Sequence, residues 1–253
     1  MARDDEGFEE DALGIPEPPW RLPARPAPRA PLTRDAIVEA ALRVLDAEGI
    51  EGLSMRRVAE ELGAGAASLY YHVRNKDALS QLIFERVTEE VALPEPDPCR
   101  WKEQLRDLAI QMRAVLNRHR DVARLSFGRI PGGPTLARYT EWLFRLLKPV
   151  GIPDRVIAYL GDLFGLYVGA YAFEDSLGVS SPTGEDLPPE QILEMFRGYV
   201  LSLPVDRFPH MRAAVDLLFS GSQDERYAFG IDLMLRGLET YAREASPEEH
   251  DSG

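Results

Sequence analysis

A single cysteine, Cys99, stands in the 253-residue chain, so no intrachain disulfide can form, and no secretory signal is visible; both lead to the expectation of a reducing cytoplasm. Alternation of apolar and polar residues is missing over any stretch long enough for a sheet, which leaves helices as the expected regular structure. Basic residues are outnumbered, with 29 lysines and arginines against 42 aspartates and glutamates and a formal net charge of -13. That balance argues against a protein that coats nucleic acid over its whole surface, because phosphate neutralisation dominates such binding. One basic docking face is still compatible with it, since an acidic remainder limits non-specific adhesion.

Motifs of catalysis are missing too. There is no zinc-binding helix motif, no phosphate-cradling glycine loop, and no serine or cysteine in a nucleophile context. His119 beside Arg120 and Asp121, with His210, Asp162 and Glu174, is the best material an enzyme would have, and it makes no recognisable constellation. The expectation is therefore no catalytic residue, no metal site and no cofactor.

What is present is enough apolar content, 45% of residues, for a globular core divided between two domains. Residues 1–31 run from an acidic stretch into prolines at 16, 18, 19, 23, 26, 28 and 31, a composition that reads as a disordered tail. Arg21, Arg25 and Arg29 within it make either a basic arm for a minor groove or a solvated linker. Thr33 then caps a helix striped by Ile37, Ala40, Ala41, Val44 and Leu45, which Gly49 is placed to end. Asn75 caps a later helix carrying Leu79, Leu82, Ile83 and Val87 to about Ala92. Pro94, Pro96 and Pro98 set a domain boundary close to residue 93.

Between those helices lies the most informative stretch, Leu53 to Lys76. Ser54 caps a short helix with Val58, Ala59 and Leu62 on one side, Gly63 supplies a turn, and a second helix starts near Ala66. Small Ala59 allows a close crossing, and Leu69 with Val73 gives the second helix an inward side. Ser68, Tyr70, Tyr71 and His72 occupy its other side, framed by Arg56, Arg57, Arg74 and Lys76, the groups that contact phosphates and base edges. The alternative is a helical hairpin whose tyrosines only pack.

Leu32 to Ala92 resembles the N-terminal domain of the TetR family of ligand-responsive bacterial repressors. The likeness runs through Thr33-Arg34-Asp35-Ala36-Ile37-Val38-Glu39-Ala40-Ala41, Gly49-Ile50-Glu51-Gly52-Leu53-Ser54, Ser68-Leu69-Tyr70-Tyr71-His72-Val73 and Asn75-Lys76-Asp77-Ala78-Leu79. It implies that Ser54 and Arg56 touch DNA from a bracing helix. Ala66, Ala67, Ser68, Tyr70, Tyr71 and His72 then form the helix in the major groove, and Lys76 holds a phosphate. Tetracycline-responsive members carry a glutamine and a proline where this chain has Ala66 and Ala67. An alanine can touch a thymine methyl but cannot hydrogen-bond a base, so a different operator is implied.

Beyond residue 93 the pattern is helical over about 99–117, 119–127, 133–148, 153–177, 189–202 and 224–244. The segment from Val156 to Phe173 is almost wholly apolar, with Ala158, Gly161, Gly165, Gly169 and Ala172 on one seam. A membrane span would bury Asp162 at a cost of about 2.5–3.5 kcal/mol, so the expectation is a buried bundle helix packed against Ala228, Ile231, Leu235, Leu238 and Ala242. Asp224 to Glu239 resembles the last helix of the tetracycline-repressor branch, which implies a two-fold dimer built on Gly161, Gly165 and Gly169 with Ile231, Leu235 and Leu238. The alternative keeps seam and stripe inside one subunit. In a hand alignment, three ligand positions of the tetracycline sensors fall on Ala92, Leu108 and Ser126; alanine and leucine offer no oxygen to a hard cation, which argues against tetracycline-magnesium. Leu108, Met112, Leu125, Tyr139, Trp142, Phe164 and Tyr167 are the expected lining for a largely apolar or aromatic effector, or else ordinary core.

The reading is an all-α protein. It has a tail (1–31), a helix-turn-helix three-helix DNA-binding domain (32–93), an effector-binding and dimerisation domain (94–246), and a second disordered tail (247–253). Its expected function is a homodimeric, ligand-responsive repressor on double-stranded, palindromic operator DNA, with a small-molecule effector and no membrane partner. The alternatives are an activator or co-repressed regulator of the same fold, a helical enzyme, and a helical scaffold.

Overall fold

The computed structural model describes residues 32–127, 132–177 and 187–244, all without a strand; both expected tails, with Arg21, Arg25 and Arg29, lie outside the described residues. Helix α1 (Arg34–Gly52) starts where Thr33 Oγ1 accepts the Ala36 N–H at 3.1 Å, and it buries Ile37, Ala40, Ala41, Val44 and Leu45. Gly49, non-helical at φ 75° and ψ -178°, ends its regular turns as expected, and beyond this kink a short helical turn runs on to Gly52. The Ser54 hydroxyl accepts the Arg57 N–H at 3.1 Å to open α2 (Met55–Glu61). Gly63, at φ 59°, turns the chain into α3 (Ala66–His72). Leu69 and Val73 are sealed beneath α3, each such side chain contributing about 1.5–3 kcal/mol by leaving water. Asn75 Oδ1 accepts the Ala78 N–H at 2.8 Å and starts α4 (Lys76–Thr88).

The second half is built on α5 (Trp101–Arg118) lying against α7 (Asp154–Leu177), with α6 (Pro134–Leu147) on α7 and the last helix (Gln223–Glu244) on α5. Residues 119–127, expected as a helix, form instead a short 3-10 turn, Val122–Ser126, wedged against α4 and α7. One continuous core runs from Ile37 on α1 through Val87 on α4 to Leu105, Leu146 and Ile231. Helix α6 has no side-chain cap of its own. Glu85 of α4 provides one, its Oε1 accepting the Thr135 N–H at 3.2 Å, a favourable place for a carboxylate at a helix start. By length and composition α7 could cross a membrane, but its inner side, Ile157, Leu160, Phe164, Val168 and Ala172, belongs to this core.

Helices α8 (Pro189–Ser202), α9 (Pro209–Ala213) and α10 (Val215–Leu218) pack on one another; the sequence reading had no helix at α9 or α10. Their buried residues, Ile192, Val200 and Val215, stand apart from the main core, and Tyr199, Val205 and Leu217 are exposed around them. The last helix is α11.

Candidate nucleic-acid interface

Helix α3 has two unlike sides because its length, seven residues, gives barely two turns, and one side is committed to Leu69 and Val73. The other presents Ala67, Ser68, Tyr70 and Tyr71 to solvent, with Ala66 and His72 partly covered. Tyr71 is 89% exposed and Tyr70 54%, although aromatic rings ordinarily gain by burial. The Tyr71 and His72 rings meet edge to face with centroids 5.3 Å apart. On α2, Ser54 is exposed at the cap and Arg56 reaches out, its guanidinium held to Glu60 at 2.9 Å. Arg57, expected to frame the site, braces the domain instead. It donates to Glu48 at 2.7 Å and to Glu61 at 3.1 Å, and these two carboxylates, Glu48 foremost, raise its already high pKa. Lys76 is exposed at the start of α4, its Nζ 3.3 Å from the Ile50 carbonyl.

A cleft of about 320 Å³ beside α3 adds Arg34 and Gln81 to His72 and Arg74. Arg34 stands outside the expected contacts. A cation in the first turn opposes the helix dipole, and that mismatch was the available signal.

The residues of the expected effector lining belong to the common core. Leu108, Leu125, Trp142 and Phe164 are buried, and Met112, Tyr139 and Tyr167 pack partly covered on the same core. Their polar handles are spent on backbone carbonyls: Tyr139 donates to Thr88 at 2.9 Å, Trp142 to Pro94 at 2.6 Å and Tyr167 to Tyr227 at 3.0 Å. Burial raises the pKa of the Tyr139 hydroxyl. The larger cleft, about 530 Å³, lies elsewhere. Glu48, Gly49 and Ile50 of α1, His119, Arg120 and Asp121 of the connecting loop, and Asp175 of α7 line it with polar groups. None of the seven expected residues borders it.

The expected dimer stripe needs a correction. Ile231, Leu235 and Leu238 are 1%, 2% and 5% exposed within one subunit, because that side of α11 packs on α5. The outward side of α11 carries Phe229, Leu233 and Tyr241, and that of α7 carries Tyr159, Leu163 and Leu166. Of the glycines, Gly169 is spent against Ser126 Oγ and Gly161 against Leu143, the nearest atoms to a Cβ built at each lying 3.4 Å and 3.5 Å away. Of these three, Gly165 alone faces open space, with nothing within 4 Å.

Comparison with known proteins agrees with this architecture. The profile described as "Bacterial regulatory proteins, tetR family" matches residues 37–83, and "Tetracyclin repressor-like, C-terminal domain" matches residues 93–242. The HTH-type transcriptional repressor DrrR1 of Streptomyces coeruleorubidus is 32% identical over 87% of this chain and 83% of its own length. The tetracycline repressor class D of Escherichia coli is 26% identical over 83% of this chain and 90% of its own. Among solved structures, apo ActR from Streptomyces coelicolor superposes with a TM-score of 0.77 at 40% identity, covering 86% of this chain and 99% of that one. ActR has also been crystallised with actinorhodin, and that structure gives 0.76 at 40% identity over 86% and 100% of the two chains. Matched through both its helix-turn-helix and its C-terminal helical domain, the chain belongs to the TetR family of transcriptional regulators.

Proposed function

We propose that the protein is a ligand-responsive repressor that binds a palindromic operator as a homodimer and is released by a small, largely apolar or aromatic effector. The observation that carries this reading is the division of α3, with Leu69 and Val73 sealed inside and Tyr70 and Tyr71 held out in water. A helix this short cannot hold two exposed aromatic rings for its own stability, and a major groove accommodates such a surface. Ser54 and Arg56 on α2 and Lys76 on α4 serve as phosphate contacts, with Ala66, Ala67, Ser68 and His72 completing the reading surface. Relatives of the same family support the repressor assignment, and ActR, solved with actinorhodin and with (S)-DNPA, supports a small-molecule effector.

The second copy is best accommodated on the outward sides of α7 and α11, where Leu163, Leu166, Phe229 and Leu233 form exposed apolar surface of the kind that marks a partner site. A two-fold dimer sets two reading helices about one DNA turn apart, roughly 34–36 Å. The effector enters the core bounded by Leu108, Met112, Leu125, Tyr139, Trp142, Phe164 and Tyr167 by parting side chains that now touch. It lowers operator affinity by as much as it prefers the parted arrangement.

Selection of genomic fragments with purified protein over a range of salt concentrations tests the reading. A palindromic site with half-sites one turn apart and a steep salt dependence is expected; weak, sequence-blind binding would refute it.

A further inference from the structure

The arginines of the DNA-binding domain are not all used alike. Arg43, Arg57 and Arg86 hold Glu61, Glu48 and Glu39, and Arg56 leans on Glu60. Among the described residues, no carboxylate pairs with exposed Arg34 in the first turn of α1 or with exposed Arg74 just after α3. In a chain of formal net charge -13, two neighbouring guanidiniums without an acid are the exception. Both border the cleft of about 320 Å³ beside α3, together with His72 and Gln81. Glu85 is the one acid in its lining, and that carboxylate is committed to the start of α6, where its Oε1 accepts the Thr135 N–H at 3.2 Å. What remains is a recess whose donors are two guanidinium forks and the Gln81 amide, a set suited to phosphate oxygens.

Arg74 and Lys76 stand close in sequence and serve opposite ends of α1. Lys76 Nζ lies 3.3 Å from the Ile50 carbonyl, near the end of that helix, whereas Arg74 shares its cleft with Arg34 at the beginning. From residue 34 to residue 50 a helix rises roughly 24 Å at about 1.5 Å per residue. That is enough to straddle a major groove about 12 Å wide.

We propose that Arg34 and Arg74, with Gln81, form a second phosphate-binding station, which holds the operator strand across the major groove from the strand that Lys76 holds. The proposal rests on the operator-binding reading of α3. Helix α3 is gripped from both walls of the groove. Phosphate contacts fix register and orientation without reading bases, so Arg34 and Arg74 are positioning residues. They set the depth and tilt of α3 and leave the choice of bases to its outward side chains. Arg34 opposes the dipole of α1 in the free protein, and a phosphate on its guanidinium brings to that helix start the negative charge it favours.

Operator affinity of the full-length protein, Arg34→Gln and Arg74→Gln between about 50 and 200 mM salt tests the inference. One phosphate lost per subunit leaves the dimer with two fewer. Each variant is therefore expected to lose about tenfold less affinity than the unmodified protein over that interval, and Arg34→Lys to keep the full dependence. Ethylation of single operator phosphates locates the contact. One phosphate in each half-site is expected to matter to the unmodified protein and not to Arg34→Gln or Arg74→Gln, on the strand opposite the phosphate that Lys76→Ala ceases to sense. Salt dependences parallel to that of the unmodified protein, or both phosphates on one strand, would overturn the station while leaving the operator reading intact. If one variant fails to fold, the other decides alone. If the unmodified protein itself shows no salt-dependent operator binding, the operator reading falls and the station with it.

Discussion

The carboxylate of Asp121 accepts the N–H of Ile50 at 2.9 Å, directly after Gly49 has turned the α1 backbone to φ 75°. Asp121 itself sits at φ 58°, the one non-glycine residue with positive φ among those described. A Cβ built on Gly49 would stand 2.8 Å from Asp121 Oδ2. Gly49→Ala is therefore expected to cost about 1–3 kcal/mol, from the left-handed backbone and from displacement of the carboxylate. Urea denaturation would read this as a lower midpoint, and an unchanged midpoint would mean that the kink carries no strain for alanine.

Tyr70→Ala removes an exposed ring that the subunit's own packing does not need, and it is expected to cost about 1–3 kcal/mol of operator binding with no loss of thermal stability. Lys76→Ala should weaken binding evenly across operator sequences and flatten the salt dependence by about one charge per subunit. Fluorescence anisotropy on matched operators separates the two effects. Unchanged affinity in both variants would remove α3 from the DNA interface.

Gly165→Leu and Leu233→Asp are expected to yield folded monomers by sedimentation. The first adds bulk where a Cβ meets nothing within 4 Å in the same subunit, and the second puts a charge on the outward side of α11 beside exposed Phe229. An unaltered dimer in both would move the interface away from α7 and α11.

Asp175 couples α7 to α5 and α11. Arg113 grips it at 2.7 Å and 2.9 Å, Asn117 adds a third bond at 2.7 Å, and the other arm of Arg113 reaches Asp224 at 2.8 Å. The Arg113 guanidinium holds the Asp175 carboxyl below its ordinary value of 3.8. A carboxyl so depressed contributes stability that is fully present above the unfolded value and disappears as the pH falls through the folded one. Asp175→Ala is expected to lower the unfolding free energy by about 1.5–3 kcal/mol at neutral pH. The gap should narrow in acid below about pH 4, measured by denaturant titration at several pH values; a gap constant down to the acid limit would assign the loss to packing alone.

Local signals carried far in this sequence. Thr33, Ser54 and Asn75 each cap the helix they were expected to cap, because capping is settled within three residues. The inward side of α3 was equally plain, since Leu69 and Val73 are the apolar residues at helical spacing in that segment. What was hidden depended on distant partners. Helical spacing identifies Ile231, Leu235 and Leu238 as one stripe, but it cannot distinguish a stripe that meets α5 from one that meets another copy. The cluster of Leu108, Trp142 and Phe164 was legible as apolar, while its place in the common core depends on helices distant in sequence. Gly49 carried the mark of a helix end, yet the carboxylate that receives the following N–H comes from residue 121.

The borrowed cap on α6 bears on how the molecule assembles. Because Glu85 belongs to α4 and the Thr135 N–H to α6, the first turn of α6 is not electrostatically complete until the exit helix of the other half is docked. A recombinant fragment cut near residue 93 would leave that turn without its carboxylate and strip one side of a shared core. The two halves therefore share a helix start as well as a core, and a chimera that takes its first half from a relative must bring a carboxylate at position 85 to keep that helix start.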